Sequence, residues 1–323
     1  MGYKKVVVAG GGVLGSQIAF QAAYCGFDVT IWLRSEKSKT HTQPKLDKLK
    51  EDYVKDLELM NTKEGKAESN WSRGLADIDN FDYDKCIEKV QTAHTNIKLE
   101  TDLKKAVEDA DLVIESIGED TKVKIDFYQK LAPLLPEKTV IVTNSSTLLP
   151  STFAKYTGRG DKYLSLHFAN TIWRKNTAEV MCHIGTDPKV FTDIIEFANE
   201  IRMVALPITK EKNGYLLNSM LVPFLLSAFD LYANGISTPE TIYKAWTLGT
   251  GAPNGPFRIM DTVGLETVKN IVLQYQKVPG LFSPLLKKMM MPYNFKGMLD
   301  ILNKYISEGK MGKSTKEGFY KYE

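Results

Sequence analysis

The chain has 323 residues, of which 43% are hydrophobic and 25% are charged, and this composition is typical of a globular protein with a sizeable core. Its formal net charge of +3 is small and no basic run is interleaved with aromatic residues, so we expect no nucleic-acid partner. The three cysteines lack metal-ligand spacing and no apolar stretch spans ~20 residues, which predicts a cytoplasmic protein without a metal ion or membrane partner.

The start of the chain shows the pattern of a strand, a glycine-rich loop, a helix and a second strand. Residues 4–9 are a short β-branched run, which is typical of a buried parallel strand. Helical spacing with small side chains follows over residues 13–24, and residues 28–33 form a second apolar run. This order predicts the first half of an α/β fold, a Rossmann-type doubly wound sheet.

Three glycines with the spacing Gly-x-Gly-x-x-Gly join the first strand to the first helix. Gly10 permits a tight turn, Gly12 lets the backbone approach a pyrophosphate, and Gly15 allows close packing of helix and strand. Glycine triplets alone are weak indicators, but the strand before and the helix after provide the context that dinucleotide binding requires. We therefore predict that this loop, with Val13 and Leu14, binds a nicotinamide cofactor, NAD(P)(H).

The end of the second predicted strand lacks the acidic residue that usually accepts the ribose 2′-hydroxyl of NAD(H). Leu33 stands at this position, followed by Arg34 and Ser35. Arg34 and Ser35 can hold a 2′-phosphate, which would favour NADP(H). Alternatively, Arg34 stacks on the adenine or points into solvent, and the residues alone leave both interpretations open.

Residues 36–95 differ from their surroundings because they are polar, lysine-rich and helical in pattern. Apolar residues at three- and four-residue spacing predict an inserted helical hairpin with its loop around residues 62–82. Further strands are predicted over residues 112–115, 140–143, 163–168, 178–184 and 203–208, with helices over 122–135 and 189–200. These elements assign residues 1–210 to an NAD(P)-binding Rossmann domain.

From residue 213 the alternation of strands and helices stops. Helical spacing then predicts helices over residues 216–233, 239–248, 265–274 and 295–307, joined by glycine and proline loops such as 249–256. We predict an all-helical C-terminal domain over residues 211–323 that binds substrate and dimerises. The first of these helices carries more apolar residues than a small domain can bury, so we expect a homodimer.

A histidine and a glutamate are the candidates for proton transfer. His167 ends an apolar run at the predicted sheet edge, and histidine ordinarily titrates near neutrality, which suits a catalytic acid and base. Glu179 stands in the otherwise apolar run 178–181, where an unpaired charge is costly, so we predict that it orients the imidazole. The alternatives are a histidine that caps a loop and a glutamate on the surface. With the glycine loop, this pair predicts hydride transfer at a secondary alcohol or ketone.

Two further polar residues are candidates for contact with the substrate. Ser146 lies in a hydroxyl-rich turn after a predicted strand, at the sheet edge where such folds bind ligands. Asn218 lies on the first helix of the C-terminal domain among apolar residues, where a buried amide must find partners. The alternatives are a helix cap for the turn and a hydrogen bond between helices for the amide.

Several short motifs follow one another in order along almost the whole chain. They occupy residues 8–15, 112–116, 144–148, 166–170, 217–218, 249–256 and 317–322. This ordered set resembles the 3-hydroxyacyl-CoA dehydrogenase family. Residues 144–150, 156–161 and 176–181 are most similar to its diketoreductase and lambda-crystallin-like branch.

The resemblance implies roles for individual residues. The family's catalytic histidine, orienting glutamate, substrate-contacting serine and asparagine correspond in that order to His167, Glu179, Ser146 and Asn218. Its further cofactor contacts correspond to Glu119, Lys124 and Asn170. The chain departs from the family at three positions: Leu33 replaces the ribose-binding aspartate, Ser219 an arginine frequent in acyl-CoA enzymes, and Ser314 a lysine that contacts the cofactor.

The resemblance implies an oxidoreductase that acts on the 3-hydroxy or 3-oxo group of a small acyl substrate, with catalysis between the two domains. A 3-hydroxyacyl-CoA dehydrogenase of the 3-hydroxybutyryl-CoA type, using NAD(H), is the first hypothesis. Residues 36–95 show no secure CoA contacts, so a diketo-ester reductase or a sugar-acid 3-dehydrogenase that acts without CoA is the alternative. A nucleotide-binding structural protein is the non-enzyme alternative, although it would need none of the four catalytic residues.

Overall fold

The computed structural model of the protein describes residues 2–276 and 293–323. The chain forms two compact units, Met1–Leu216 and Leu217–Glu323. The predicted domains, 1–210 and 211–323, differ from these units only in residues 211–216. This segment belongs to the first unit, where the Tyr215 hydroxyl and the Leu216 amide donate hydrogen bonds.

An eight-stranded sheet forms the centre of the first unit, with the strand order β3-β2-β1-β4-β5-β6-β7-β8. The strands are β1 Lys5–Ala9, β2 Asp28–Trp32, β3 Lys98–Glu100, β4 Leu112–Glu115, β5 Val140–Thr143, β6 Tyr163–Phe168, β7 Thr177–Met181 and β8 Val204–Ile208. Neighbouring strands are parallel except β6 and β7. The order reverses between β1 and β4, and ligands of such sheets bind where this reversal opens a crevice.

Helices cover the sheet and form the predicted insertion. They are α1 Val13–Tyr24, α2 Glu36–Met60, α3 Tyr83–Asn96, α4 Leu103–Val107, α5 Thr121–Leu131 and α6 Pro188–Glu200. The helices α2 and α3 are the hairpin, and the apolar stripe of α2 is buried at Leu46, Leu49, Tyr53, Leu57 and Met60. The Rossmann-type fold with an inserted helical hairpin is thereby confirmed.

Two elements of the first unit have no clear sequence signal. Strand β3 has three residues, two of them charged, because it lies at the sheet edge and buries little surface. Helix α4 has only five residues, too few to show helical spacing.

Strand β7 is shorter than predicted and ends at Met181, because residues 183–186 form a turn in which the Thr186 hydroxyl accepts from the His183 amide at 3.1 Å.

The second unit is helical, as predicted. Its described helices are α7 Leu217–Ala233, α8 Pro239–Thr250, α9 Pro256–Val263, α10 Leu265–Gln276 and α11 Phe295–Ser307. Helix α9 was absent from the sequence prediction because it begins directly after a glycine and proline loop; proline is well tolerated at a first helical position. Among residues 2–276 and 293–323, no helix is long and apolar enough to cross a membrane.

Asp261 fixes the end of the chain to the core of the second unit. Its carboxylate accepts from the Phe319 amide at 2.9 Å, the Tyr320 amide at 3.0 Å and the Tyr322 hydroxyl at 2.8 Å. Phe319 then packs on Phe257, with 4.8 Å between ring centroids. These bonds compensate for the burial of the carboxyl group, and that burial raises the pKa of Asp261.

Candidate active site

The antiparallel pairing of β6 and β7 places a histidine directly opposite a glutamate. His167 and Glu179 are partners in the strand register, and both are buried, at 6% and 4% exposure. The His167 Nδ1 and Glu179 Oε2 atoms are 2.9 Å apart. An ionised carboxylate can only accept a hydrogen bond, so Nδ1 carries the proton in this pair. Glu179 thereby fixes both the tautomer and the orientation of the imidazole.

The other nitrogen of the imidazole faces a serine. His167 Nε2 lies 3.1 Å from the Ser146 hydroxyl oxygen. Because Nδ1 is protonated, Nε2 is the basic atom, able to take up and return a proton. The structure therefore brings together three of the four predicted catalytic residues, with the imidazole between a carboxylate and a hydroxyl.

The turn that carries Ser146 is held from the neighbouring loop after β4. Glu119 accepts from the Ser145 hydroxyl through Oε2 and from the Ser146 amide through Oε1, both at 2.7 Å. Ser145 also caps the turn, because its hydroxyl accepts from the Leu148 amide at 2.9 Å. Glu119 therefore positions the serine beside His167, and the cofactor contact that the family resemblance implies for it stays a prediction.

Two residues that the sequence analysis did not single out complete the surroundings of the pair. The Leu216 amide donates to Glu179 Oε1 at 2.8 Å, which occupies the second carboxylate oxygen. The Tyr215 ring stacks on the His167 imidazole, with centroids 4.4 Å apart and an interplanar angle of 19°. The sequence contains only a weak signal for a role of Tyr215, namely an aromatic residue directly after Gly214 and before the second unit.

The glycine loop has the shape that a dinucleotide requires. Gly10 has a φ of +121°, and a β-carbon there would lie 2.6 Å from the Ser116 carbonyl oxygen. A β-carbon at Gly15 would lie 2.1 Å from the Gly10 carbonyl oxygen, so both positions exclude larger residues. A β-carbon at Gly12 would have no atom of the described residues within 4 Å, which leaves the Gly12 backbone open to a ligand. The loop precedes α1, whose N-terminus favours phosphate.

A cavity of about 490 Å³ extends from the glycine loop to the end of β2. Leu33 lines it and is itself buried, whereas Arg34 lines it from an exposed position. Basic residues that the sequence analysis did not include also line it: His41, Lys45 and Lys130. The spacing of residues 38, 41, 42 and 45 could have indicated this lining, because it places them on one face of α2.

Three of the predicted cofactor contacts have less direct positions. The Ser35 hydroxyl lies 3.0 Å from that of Ser38 and is outside the residues that line the cavity. Lys124 is buried, and its ammonium group donates to Glu115 at 2.6 and 2.8 Å. Asn170 is exposed after the end of β6. Their contact with a cofactor stays a prediction.

The ion pair of Lys124 and Glu115 belongs to a buried polar network at the ends of β4 and β5. Glu115 also accepts from the Tyr128 hydroxyl at 2.8 Å and the Thr143 hydroxyl at 2.7 Å. Burial and the nearby carboxylate raise the pKa of Tyr128, so its hydroxyl stays protonated and donates. The Ile117 amide donates to the same carboxylate at 2.8 Å, and the network thus holds the segment that lines the cofactor cavity.

Asn218 lies in the first turn of α7, within the second unit, and its contact with substrate stays a prediction. Among the described residues, no cluster of histidine, cysteine, aspartate and glutamate side chains is suited to a metal ion.

The fold and the site together define a class of protein, a nicotinamide-dependent oxidoreductase with a buried histidine–glutamate pair. Comparison with known proteins defines the family. The family model "3-hydroxyacyl-CoA dehydrogenase, NAD binding domain" matches residues 5–212. The model "3-hydroxyacyl-CoA dehydrogenase, C-terminal domain" matches residues 214–322. The chain therefore belongs to the 3-hydroxyacyl-CoA dehydrogenase family, and its first unit is an NAD-binding domain.

Individual relatives cover nearly the whole chain. The human mitochondrial hydroxyacyl-coenzyme A dehydrogenase is 32% identical, over 99% of this chain and 91% of its own length. The 3-hydroxybutyryl-CoA dehydrogenase of Clostridioides difficile is 29% identical, over 98% of this chain and 99% of its own length. A solved diketoreductase structure is 43% identical with a TM-score of 0.83, over the full length of both chains.

Proposed function

We propose that this protein interconverts the 3-hydroxy and 3-oxo groups of a small acyl substrate, with a CoA thioester of the 3-hydroxybutyryl type as the first candidate. The observation that carries this proposal is the His167 imidazole, held by Glu179 on one nitrogen and facing Ser146 with the other. This arrangement suits a reaction in which His167 removes the proton of a hydroxyl group while a hydride leaves the carbon that bears this hydroxyl. A bound nicotinamide supplies or accepts that hydride.

The proposed roles follow from the geometry of the pair. In the oxidation direction, His167 Nε2 takes the proton of the substrate hydroxyl, and the imidazolium that forms is stabilised by Glu179. In the reduction direction, the imidazolium returns the proton to the developing alkoxide. Ser146 is placed to donate a hydrogen bond to the reacting oxygen, because its hydroxyl lies beside the same nitrogen. Asn218 is the second donor to that oxygen in this proposal.

Reduction of a diketo ester without CoA is the second candidate for the substrate. It is favoured by the diketoreductase structure, which is 43% identical over the full length of both chains. The CoA enzymes among the relatives are less similar, at 32% and 29% identity. A sugar-acid 3-dehydrogenase, which would share the same proton transfer, is the third substrate class to be tested.

We further propose that NADPH serves this protein at least as well as NADH. Leu33 removes the carboxylate that would accept the ribose 2′-hydroxyl and repel a 2′-phosphate. Arg34 and Lys45 line the same cavity, and its acidic lining residue, Asp126, is paired with Lys130 at 2.7 Å. This excess of cationic groups favours the additional phosphate of NADP(H).

A homodimer formed by the second unit is the proposed assembly. Large apolar side chains of this unit are exposed, among them Met220 at 67%, Ile236 at 69% and Leu248 at 82%. By contrast, Leu225 and Ala228, two of the apolar residues of α7, are buried in the core of the unit itself. Sedimentation velocity at micromolar concentration is expected to give a dimer, and a monomer would contradict this proposal.

One experiment tests the reaction and sorts the substrate classes. Acetoacetyl-CoA, a 3-oxo ester and a 3-keto sugar acid are each supplied with NADH and, separately, with NADPH, and oxidation of the cofactor is followed by absorbance. Turnover of the thioester with little turnover of the ester supports the CoA substrate, and the reverse supports the diketoreductase candidate. Binding of cofactor without turnover of any of the three would contradict the proposed reaction and favour a nucleotide-binding structural protein.

A further inference from the structure

One buried tyrosine lies against the histidine site of the first unit and contacts both His167 and the turn before Ser146. Tyr215 is 1% exposed, and its ring stacks on the His167 imidazole at 4.4 Å between centroids. Its hydroxyl donates to the Ser145 carbonyl oxygen at 2.6 Å, next to the serine that faces His167 Nε2. The amide of the following residue, Leu216, donates to Glu179 at 2.8 Å.

The backbone of this residue has an uncommon conformation. Tyr215 has a φ of +52°, in the left-handed region that bulky side chains rarely adopt. Such a conformation persists only where the surrounding contacts determine it, and residues of this kind cluster at functional sites. Here it allows the ring to lie on the imidazole while the next amide points at the carboxylate of Glu179.

We propose that Tyr215 is a positioning residue for proton transfer: it fixes the plane of the His167 imidazole and the place of Ser146 relative to it. The inference rests on the proposed function, in which His167 is the catalytic acid and base. Stacking restricts rotation of the ring about its bond to the chain, and Glu179 restrains the ring through a single atom, Nδ1. Together the two contacts direct Nε2 to one position.

The hydroxyl and the ring of Tyr215 have separable roles. Burial raises the pKa of the hydroxyl, which therefore remains a donor over the working range of pH. Its bond to Ser145 fixes the turn from one side, and Glu119 fixes it from the other. The ring acts on the imidazole directly. Tyr215→Phe removes the hydroxyl and keeps the ring, whereas Tyr215→Leu removes both.

The test compares these two variants with the wild-type protein in steady-state kinetics. Tyr215→Phe is expected to lower kcat by about two- to tenfold, the usual effect of one lost neutral hydrogen bond. Tyr215→Leu is expected to lower kcat by about 10²-fold, the lower end of what general acid–base catalysis contributes, with KM nearly unchanged. The solvent deuterium isotope effect on kcat is expected to rise in Tyr215→Leu, because proton transfer becomes the slow step.

A matched control separates positioning from loss of stability. Tyr24 is 2% exposed, and its hydroxyl donates to the Leu75 carbonyl oxygen at 3.0 Å, so it reproduces the burial and bond type of Tyr215. Tyr24→Phe and Tyr24→Leu are expected to change thermal unfolding but neither kcat per folded protein nor the isotope effect. A fall in kcat equal to that of the Tyr215 variants would overturn the proposal, because any buried tyrosine would then have this effect.

A second measurement needs no turnover. The chain contains four histidines, so the imidazole N–H signals in NMR spectra can be assigned with single histidine variants. The His167 Nδ1–H signal is expected to be protected from exchange in wild type and Tyr215→Phe, and to broaden in Tyr215→Leu as the ring gains freedom. Equal protection in all three would overturn the proposal even if the tested substrates give no turnover. One outcome would contradict the role of Tyr215 but not the proposed function. In that outcome the wild-type protein turns over substrate, His167→Gln does not, and Tyr215→Leu has the same kcat as wild type.

Discussion

The histidine site and the cofactor cavity differ in how their residues are held. In the histidine site, His167 and Glu179 are buried, and each ring nitrogen and each carboxylate oxygen has a hydrogen-bond partner within the first unit. In the cavity lining near the end of β2, by contrast, Arg34 and His41 are exposed. A buried polar group without its partner is costly, whereas an exposed side chain can be exchanged cheaply. In the proposed function, we therefore expect the buried site to tolerate substitution poorly and the cavity lining near Arg34 to tolerate it well.

The largest expected effect is the loss of the imidazole. His167→Gln removes the group that we propose exchanges the proton, so kcat is expected to fall by about 10⁴-fold or more, at the upper end for general acid–base catalysis. The dissociation constant of the cofactor, measured by fluorescence titration, should stay unchanged because the glycine loop is untouched. His183→Gln is the control: this histidine is also buried, but it bonds to the Gly160 carbonyl oxygen at 2.9 Å. Comparable loss in both variants would contradict the assignment.

Removal of the charge behind the imidazole should have the next largest effect. Glu179→Gln keeps the size of the side chain but no longer stabilises the imidazolium, so kcat is expected to fall by a factor of about 10²–10⁴. Glu211→Gln serves as the control, because Glu211 also accepts from a backbone amide, that of Ser151 at 2.7 Å, without contact to His167. Wild-type kcat in Glu179→Gln would show that this carboxylate is structural.

Substitutions in the cavity near Arg34 should cause smaller and more selective changes, which concern cofactor binding. Arg34→Ala is expected to weaken binding of NADPH by roughly tenfold to hundredfold, since a charge-assisted hydrogen bond is worth ~1.5–3 kcal/mol. Binding of NADH should change little. Lys37→Ala removes a nearby positive charge that is outside the cavity lining and is the control for general electrostatics. A preference for NADH in kcat/KM that Arg34→Ala leaves unchanged would sink the NADPH proposal.

The sequence predicts the centre of the fold better than its edges, for a physical reason. Strands β4, β5 and β6 are buried on both faces, so their apolar runs give the observed bounds. The edge strand β3 and the short helix α4 bury little and leave no such pattern. In the site, His167 and Glu179 stand out as polar residues in apolar runs. Tyr215 could not be predicted, because stacking of an aromatic ring on a histidine 48 positions away depends on tertiary structure.

The smallest expected effect concerns the second residue assigned to the 2′-phosphate. The Ser35 hydroxyl is 3.0 Å from the Ser38 hydroxyl, and Ser35 precedes α2 without capping it through its side chain. Its bond to a phosphate would be neutral and would replace an existing contact, so Ser35→Ala should weaken NADPH binding by only about two- to tenfold.

Titration of Ser35→Ala with NADPH and NADH measures this effect, and Arg34→Ala gives the scale for comparison. Because neighbouring residues that share one ligand group can couple, the double variant is needed as well. If Arg34 supplies most of the selectivity, the double variant should bind NADPH little more weakly than Arg34→Ala alone. A hundredfold loss in Ser35→Ala would instead make the serine the main determinant of NADPH binding, although it is outside the residues that line the cavity.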